Sequence, residues 1–235
     1  APTLPATPPD PGARPMTDTP DEALLRAEIV HESRRLAELG LNPGTSGNIS
    51  HRLGGRMLIT PSAVAPHAMT PEMLADMPLE GDPGDWRGPK RPSSEWRFHR
   101  DILAARPDVQ AVVHTHAPYC TSLAMARRGI PAAHYMIALF GGPSIRCARY
   151  ARFGSQALSD AAVEALEGRA ACLLANHGMI VTGPTLARAM FLAAELETLA
   201  QQYVNSLLIG GPHVLTDAQI EETAEAMASR GYGQA

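Results

Sequence analysis

Three histidines and one glutamate are the side chains of this sequence best suited to chemistry. His114-Thr115-His116 closes a stretch, residues 109–116, whose valines and alternation predict a strand. Side chains two apart on a strand share a face, so both imidazoles project together and could grip a cation. An H-x-H pair by itself fits structural histidines as well as a metal site. His177 follows a short apolar run and precedes Gly178, where a sharp turn can present an imidazole at the sheet edge; taken alone it reads as structural. Glu95 follows Ser93-Ser94 at the start of an expected helix, where the helix dipole favours a carboxylate, and an ordinary first-turn role accounts for it equally well. As a set, three neutral imidazoles and one carboxylate make a zinc donor set whose fourth position substrate can replace. They come from three separate segments, so spacing alone leaves their convergence open.

A second group is Asn42-Pro43-Gly44-Thr45-Ser46-Gly47-Asn48, a glycine-bearing turn with hydroxyl and amide side chains. Such a loop can offer backbone N–H groups to an anion, although its composition alone reads as an ordinary turn. It lacks the P-loop lysine and follows a helix rather than opening one, which excludes a nucleotide P-loop. Ser62, Ser93 and Ser94 add hydroxyls, the last two beside a helix start that attracts phosphate; simple capping is the competing explanation.

These side chains must be positioned by a chain of 235 residues that is 45% apolar and 19% charged, with a formal net charge of -4 and a pI near 6.1. That balance is that of a soluble globular protein, and with no basic stripe it argues against a nucleic-acid partner. No apolar run reaches the ~18 residues of a spanning helix, and no charged-then-apolar leader is visible, so a soluble, cytoplasmic protein is expected. Cys120, Cys147 and Cys172 are far apart without a C-x-x-C pair and read as reduced thiols. Residues 1–20 hold seven of the 21 prolines and one large aliphatic residue, Leu4, and read as a disordered tail; residues 21–235 read as a single domain.

Thr19-Pro20-Asp21-Glu22 forms a capping box for a first helix, with Leu25, Ile29, Leu36 and Leu39 on one stripe and Gly40 as its stop. Residues 48–52 and 57–60 read as a hairpin around Gly54-Gly55. A short helix is expected from Thr70, a surface loop over residues 81–92, and a helix capped by Ser93 and Ser94 that runs to Pro107. After the histidine strand come a helix ending at Gly129, a strand–turn–strand over residues 130–147, and a helix over residues 155–166. Strands over 171–175 and 178–181 follow, then a long helix opened by Pro184 and a last helix boxed by Thr216 and Gln219. Interleaved helices and strands with glycine hairpins predict an α/β fold, a three-layer α/β/α sandwich around a mostly antiparallel sheet.

Read in order, Gly40-Leu41-Asn42 through Asn48-Ile49-Ser50, Leu58-Ile59-Thr60-Pro61, Pro92-Ser93-Ser94-Glu95-Trp96-Arg97-Phe98-His99, Val112-Val113-His114-Thr115-His116-Ala117 and Asn176-His177-Gly178 resemble the class II aldolase/adducin family, most nearly its fuculose-phosphate aldolases. The resemblance covers roughly residues 22–232. It implies a zinc-dependent lyase that cleaves a 1-phosphoketose to dihydroxyacetone phosphate and an aldehyde through a metal-stabilised enediolate. It further implies one Zn2+ per subunit (Mn2+ or Co2+ being other candidates) and a homotetramer with sites at subunit interfaces. By position, His114, His116, His177 and Glu95 take the places of the metal ligands, and Glu95 also that of the acid/base. Tyr135 takes the place of a tyrosine reaching a neighbouring subunit's site, a core strand aromatic being its alternative. Thr45, Gly47, Asn48, Ser62, Ser93 and Ser94 fall where phosphate is bound, and Phe153 and Tyr232 where the rest of the substrate lies.

The sequence departs from that pattern at Ser62-Ala63, where the resemblance implies Thr-Gly, and in a longer stretch over residues 65–69 carrying Pro66 and His67. A β-carbon at Ala63 restricts conformations that glycine allows freely. This departure bears on phosphate recognition; the pocket near Phe153 and the tail also depart from the pattern, so the sugar could be L-fuculose 1-phosphate or a deoxy- or methylthio-pentulose phosphate. A decarboxylase of a phosphorylated keto acid is the first alternative, then a sugar-phosphate 4-epimerase, then a non-catalytic adducin-like binding module.

Overall fold

Consecutive residues of the short strands send their side chains to opposite faces of one sheet, and each face has its own core. The computed structural model describes residues 20–231, so the tail expected over residues 1–20, Pro20 excepted, and the substrate-side Tyr232 lie outside the described residues. The strands are β1 (Asn48–Leu53), β2 (Arg56–Ile59), β3 (Ala75–Pro78), β4 (Ala111–Thr115), β5 (Arg146–Ala148), β6 (Ala171–Leu174) and β7 (Gly178–Gly183). They join in the order β3-β2-β1-β4-β7-β6-β5, antiparallel throughout except for the parallel pair β5 and β6.

Met57, Ile59, Val112, Cys172, Leu174 and Ile180 face α2 (Trp96–Ala105) and α4 (Gln156–Ala165). Their strand neighbours Leu58, Val113, Leu173, Met179 and Val181 face the other way, into a core closed by α1 (Pro20–Glu38), α3 (Pro118–Met125), α5 (Leu186–Leu208) and α6 (Asp217–Ser229). Each such side chain contributes about 1.5–3 kcal/mol by leaving water, and it can do so only in this register. The three layers match the α/β/α sandwich expected. Helix starts follow their caps: the hydroxyls of Ser155 and Thr185 accept main-chain N–H groups three residues on, and Thr216 and Gln219 cap reciprocally as expected. Among the described residues no helix is long and apolar enough to cross a membrane, and all three cysteines are free thiols.

Several local expectations need correction. Of the strand–turn–strand over residues 130–147, the second strand survives as β5, but the first is reduced to one antiparallel bridge, Ile130 to Ile145, which encloses a 3-10 helix, Tyr135–Phe140. His134 caps that helix by accepting the Met136 N–H, and burial of Ile137 and Phe140 in the core rewards the helical spacing over the alternating one. The helix expected from Thr70 is one 3-10 turn, Pro71–Met73. β3, Ala75–Pro78, has no β-branched residue and forms a strand that the sequence pattern does not predict. Leu39 is exposed, and Leu41 fills the core in its stead after Gly40 turns the chain with φ +71°. α3 ends four residues before Gly129, with Arg127 rather than a glycine taking a positive φ, +52°. Gly129 instead admits a close approach, because a β-carbon there would lie 2.5 Å from the Ile145 carbonyl.

Candidate active site

Antiparallel pairing brings the end of β4 beside the beginnings of β1 and β7. Asn48 sits opposite His114, and Met179 opposite Thr115. β6 and β7 are joined through Ala175-Asn176-His177, and the tight turn belongs to Asn176 (φ +54°) rather than to Gly178. Nor is His177 at the sheet edge: β7 lies between β4 and β6, and the imidazole stands at the strand ends. The glycine after it has a different duty. A β-carbon on Gly178 would lie 2.4 Å from the Thr115 carbonyl and 2.9 Å from the His116 ring, so only glycine lets β7 start this close to the histidine strand.

The imidazoles of His114, His116 and His177 pack edge to face with centroids 4.8–5.1 Å apart, and their ligand nitrogens lie within 4.8 Å of one another. Glu95, just before α2, closes the group: Oε2 is 3.2 Å from His114 Nε2 and Oε1 is 3.0 Å from His177 Nε2. His114 Nε2, His116 Nε2 and Glu95 Oε1 are buried yet have no aligned hydrogen-bond partner. Leaving such atoms unsatisfied costs about 1–3 kcal/mol each, a cost that a shared cation would offset. On His114 the other nitrogen is spoken for, Nδ1 donating to the Met179 carbonyl at 2.8 Å, so Nε2 is the atom the ring presents to the cluster. The donor set therefore fits a divalent cation. Burial pushes the Glu95 carboxyl up, but the facing His114 and His177 rings outweigh it and hold the group well below the usual carboxylate range. Burial, and then the neighbouring His114 and His177, depress His116 to about 4, which favours the neutral ring a metal needs.

Above this cluster opens a cavity of about 410 Å³ lined by Glu95, His116 and His177 on one side and by Thr45, Gly47, Asn48, Ser62, Ser93 and Ser94 on the other, with Phe153 at its rim. Of the sequence-predicted residues, all but three thus line one cavity: His114 is fully buried beneath it, Tyr135 lies elsewhere, and Tyr232 is outside the described residues. Not all of the predicted anion contacts face it freely. The Gly47 N–H donates to the buried Asn42 side chain at 2.7 Å, the Asn48 amide donates to Glu95 Oε2 at 3.0 Å, and the Ser93 hydroxyl accepts the Glu95 N–H at 3.3 Å. Ser93 and Ser94 therefore do not cap α2 by side chain; Glu95 is its N-cap, without a capping bond. Ala63 lines the cavity with φ +56°, so the left-handed turn that glycine would give is kept despite the β-carbon.

Tyr135 opens the 3-10 helix, is 47% exposed, and lines a different cavity with residues of α6 such as Gln219 and Met227. That placement overturns the core strand aromatic considered for it. Sequence reasoning missed His99 and Ser50, both fully buried behind Asn48. For His99 a signal existed: it falls on the same helical arc as the core residues Phe98, Ile102 and Leu103, where a polar ring needs a reason.

Comparison with known proteins places the chain. Residues 27–204 match the family described as Class II Aldolase and Adducin N-terminal domain. A Rhodospirillum rubrum protein named 5-methylthioribulose-1-phosphate/5-deoxyribulose-1-phosphate aldolase is 51% identical, over 88% of this chain and 92% of its own length. The L-fuculose phosphate aldolase of Escherichia coli strain K12 is 43% identical, over 88% of this chain and 95% of its own. A solved structure named L-fuculose 1-phosphate aldolase superposes with a TM-score of 0.84 at 34% identity, covering 90% of this chain and 98% of the other.

Proposed function

The chain belongs to the class II aldolase and adducin family, and from that premise we propose how its residues cleave a 1-phosphoketose to dihydroxyacetone phosphate and an aldehyde. It is an enzyme, a lyase of the aldolase type. The observation that carries the reading is the convergence of three imidazoles and Glu95, with orphaned buried atoms, on the floor of a hydroxyl-lined cavity. His114, His116 and His177 would hold the cation, with Glu95 as the fourth ligand. Zn2+ suits three neutral imidazoles and a carboxylate, Mn2+ and Co2+ being weaker candidates. Bound there, it supplies Lewis-acid stabilisation of the charge that develops beside the ketone.

Glu95 moves the proton at carbon 3. In cleavage the hydroxyl proton at carbon 4 passes to solvent as the aldehyde C=O forms, and the bond between carbons 3 and 4 breaks with its electron pair passing to the ketone side. Glu95, having taken up a proton from solvent, delivers it to carbon 3, so that one proton is lost and one gained. The hydroxyls of Thr45, Ser62, Ser93 and Ser94 hold the phosphate, with the Gly47 and Asn48 segment shaping that end, and Phe153 lies against the aldehyde portion. Tyr135 serves the aldehyde oxygen in the cavity of a neighbouring copy, within a homotetramer. Its exposure and its absence from the lining of its own cavity support that role. The chemistry and the free thiols fit a cytoplasmic enzyme of sugar-phosphate metabolism.

Deuterium exchange at the hydroxymethyl carbon of dihydroxyacetone phosphate in heavy water tests this without knowledge of the aldehyde. Exchange that a chelator abolishes and that unphosphorylated dihydroxyacetone does not show is the expected result. No exchange by zinc-loaded protein on either ketone overturns it. A decarboxylase draws its support from the altered Ser62-Ala63 loop, and the positive φ of Ala63, which keeps the glycine-like turn, weakens that support.

A further inference from the structure

Behind Glu95 lies a chain of buried polar groups that the reaction above does not use. His99, one turn along α2 from Glu95, is fully buried between Ser50 of β1 and Asn48. Burial drives its pKa down to about 3, so the ring is neutral near pH 7 and carries a single N–H. The far end of the chain decides which nitrogen bears it. The Asn48 amide nitrogen meets two acceptors, Glu95 Oε2 at 3.0 Å and the Ser46 carbonyl at 3.5 Å, so its NH2 points at the carboxylate and Oδ1 points at His99. Oδ1 can only accept. His99 Nε2 must therefore donate to it, which leaves Nδ1 to accept from the Ser50 hydroxyl at 2.8 Å. Donors then run in one direction, from Ser50 through His99 and Asn48 to Glu95. Phe98 stacks on the His99 ring at 4.7 Å and sets its plane.

We propose that His99 is a positioning residue: donating from Nε2, it holds the Asn48 carboxamide with its NH2 toward Glu95 and so fixes that carboxylate against His114 and His177. Without this donor the Asn48 oxygen loses its partner and only Glu95 and the Ser46 carbonyl hold the amide, so its orientation is less firmly set. The inference rests on the metal and proton roles proposed for Glu95, but the tautomer can be read independently of them.

Long-range proton–nitrogen correlation on metal-free, histidine-labelled wild-type protein is expected to show His99 as the Nε2–H tautomer; an Nδ1–H tautomer overturns the proposal. Three variants add the functional readout. His99→Gln carries an amide nitrogen out to where Nε2 lies, whereas His99→Asn stops near the Nδ1 position and His99→Leu has no donor. Zinc affinity by chelator competition, and the exchange rate, are expected to fall about 10- to 100-fold in the Asn and Leu variants and to recover in the Gln variant. Equal losses in all three, or none in the Leu variant, overturn it. If wild-type protein binds zinc but exchanges no deuterium, the aldolase reading fails while the tautomer and zinc affinities still decide the role of His99.

Discussion

On one side of the cavity His114, His116, His177 and Glu95 stand on strand ends and a helix start, their rings packed on one another and the carboxylate nearly buried. On the other, Thr45, Ser46, Ser62 and Ser94 stand on loops and are exposed, and no lysine or arginine is among the lining residues. The first side is fixed by the sheet register and the Gly178 contact, so its geometry has few ways to relax. The second relies on neutral hydrogen bonds, each contributing about 0.5–1.5 kcal/mol, and can be edited without disturbing the sheet. On the proposed reading, chemistry is thus invested in the fold and substrate choice in its connections.

That contrast can be broken most directly at His177→Ala. Zinc affinity, measured against a chelator, is expected to fall by more than the ~100-fold typical of removing a ligand's supporting hydrogen bond; wild-type affinity would take His177 out of the metal site. Next in size is Gly178→Ala. Its β-carbon meets the Thr115 carbonyl, so a loss of about 1–3 kcal/mol in urea unfolding is expected together with weaker zinc binding. An unchanged midpoint would show that β7 has slack. Acid probes the same wall through His99. Its folded value of about 3 lies below the ordinary 6.5, so the unfolded chain takes up the extra proton. The His99 contribution is present above pH 6.5 and is lost as pH falls toward 3. Urea midpoints followed from pH 7 to 4.5 should therefore drop more steeply in wild type than in His99→Gln, and parallel curves would refute the neutral buried ring.

The loop wall should respond more gently. Ser94→Ala is expected to raise the KM for the phosphorylated ketone roughly 2- to 10-fold with zinc affinity unaltered; a zinc effect would show that the two sides are coupled after all. Smallest is Ala63→Gly, which relieves a left-handed alanine and should raise stability by up to about 1 kcal/mol. A fall in melting temperature would mean that the alanine methyl packs usefully.

The layers were legible because Met57-Leu58-Ile59, Val112-Val113 and Met179-Ile180-Val181 are short apolar runs, and the three imidazoles and Glu95 were legible by type. β3 was not, since Ala75-Asp76-Met77-Pro78 carries no β-branched residue and alternates over only three residues before a proline; its pairing with β2 is a tertiary fact. The 3-10 turn at Tyr135 was hidden for the opposite reason, in a sequence apolar enough to pass for a strand. Convergence of Glu95 with the histidines depends on Asn48 facing His114 across two strands, a register that no local pattern encodes. The hydroxyl loops announced donors but not which of them were already taken, as Gly47 is by Asn42.

β4 is the middle strand of seven, and two of the three imidazoles stand at its end. Local opening begins at the margins of a sheet, here β3 and β5, and reaches the centre only when the whole domain unfolds. Tyr150 and Phe153 follow directly on β5. The rim of the cavity can therefore breathe many times over while the two imidazoles at the end of β4 keep their places, and a cation bound there would keep those two protein ligands through every such opening.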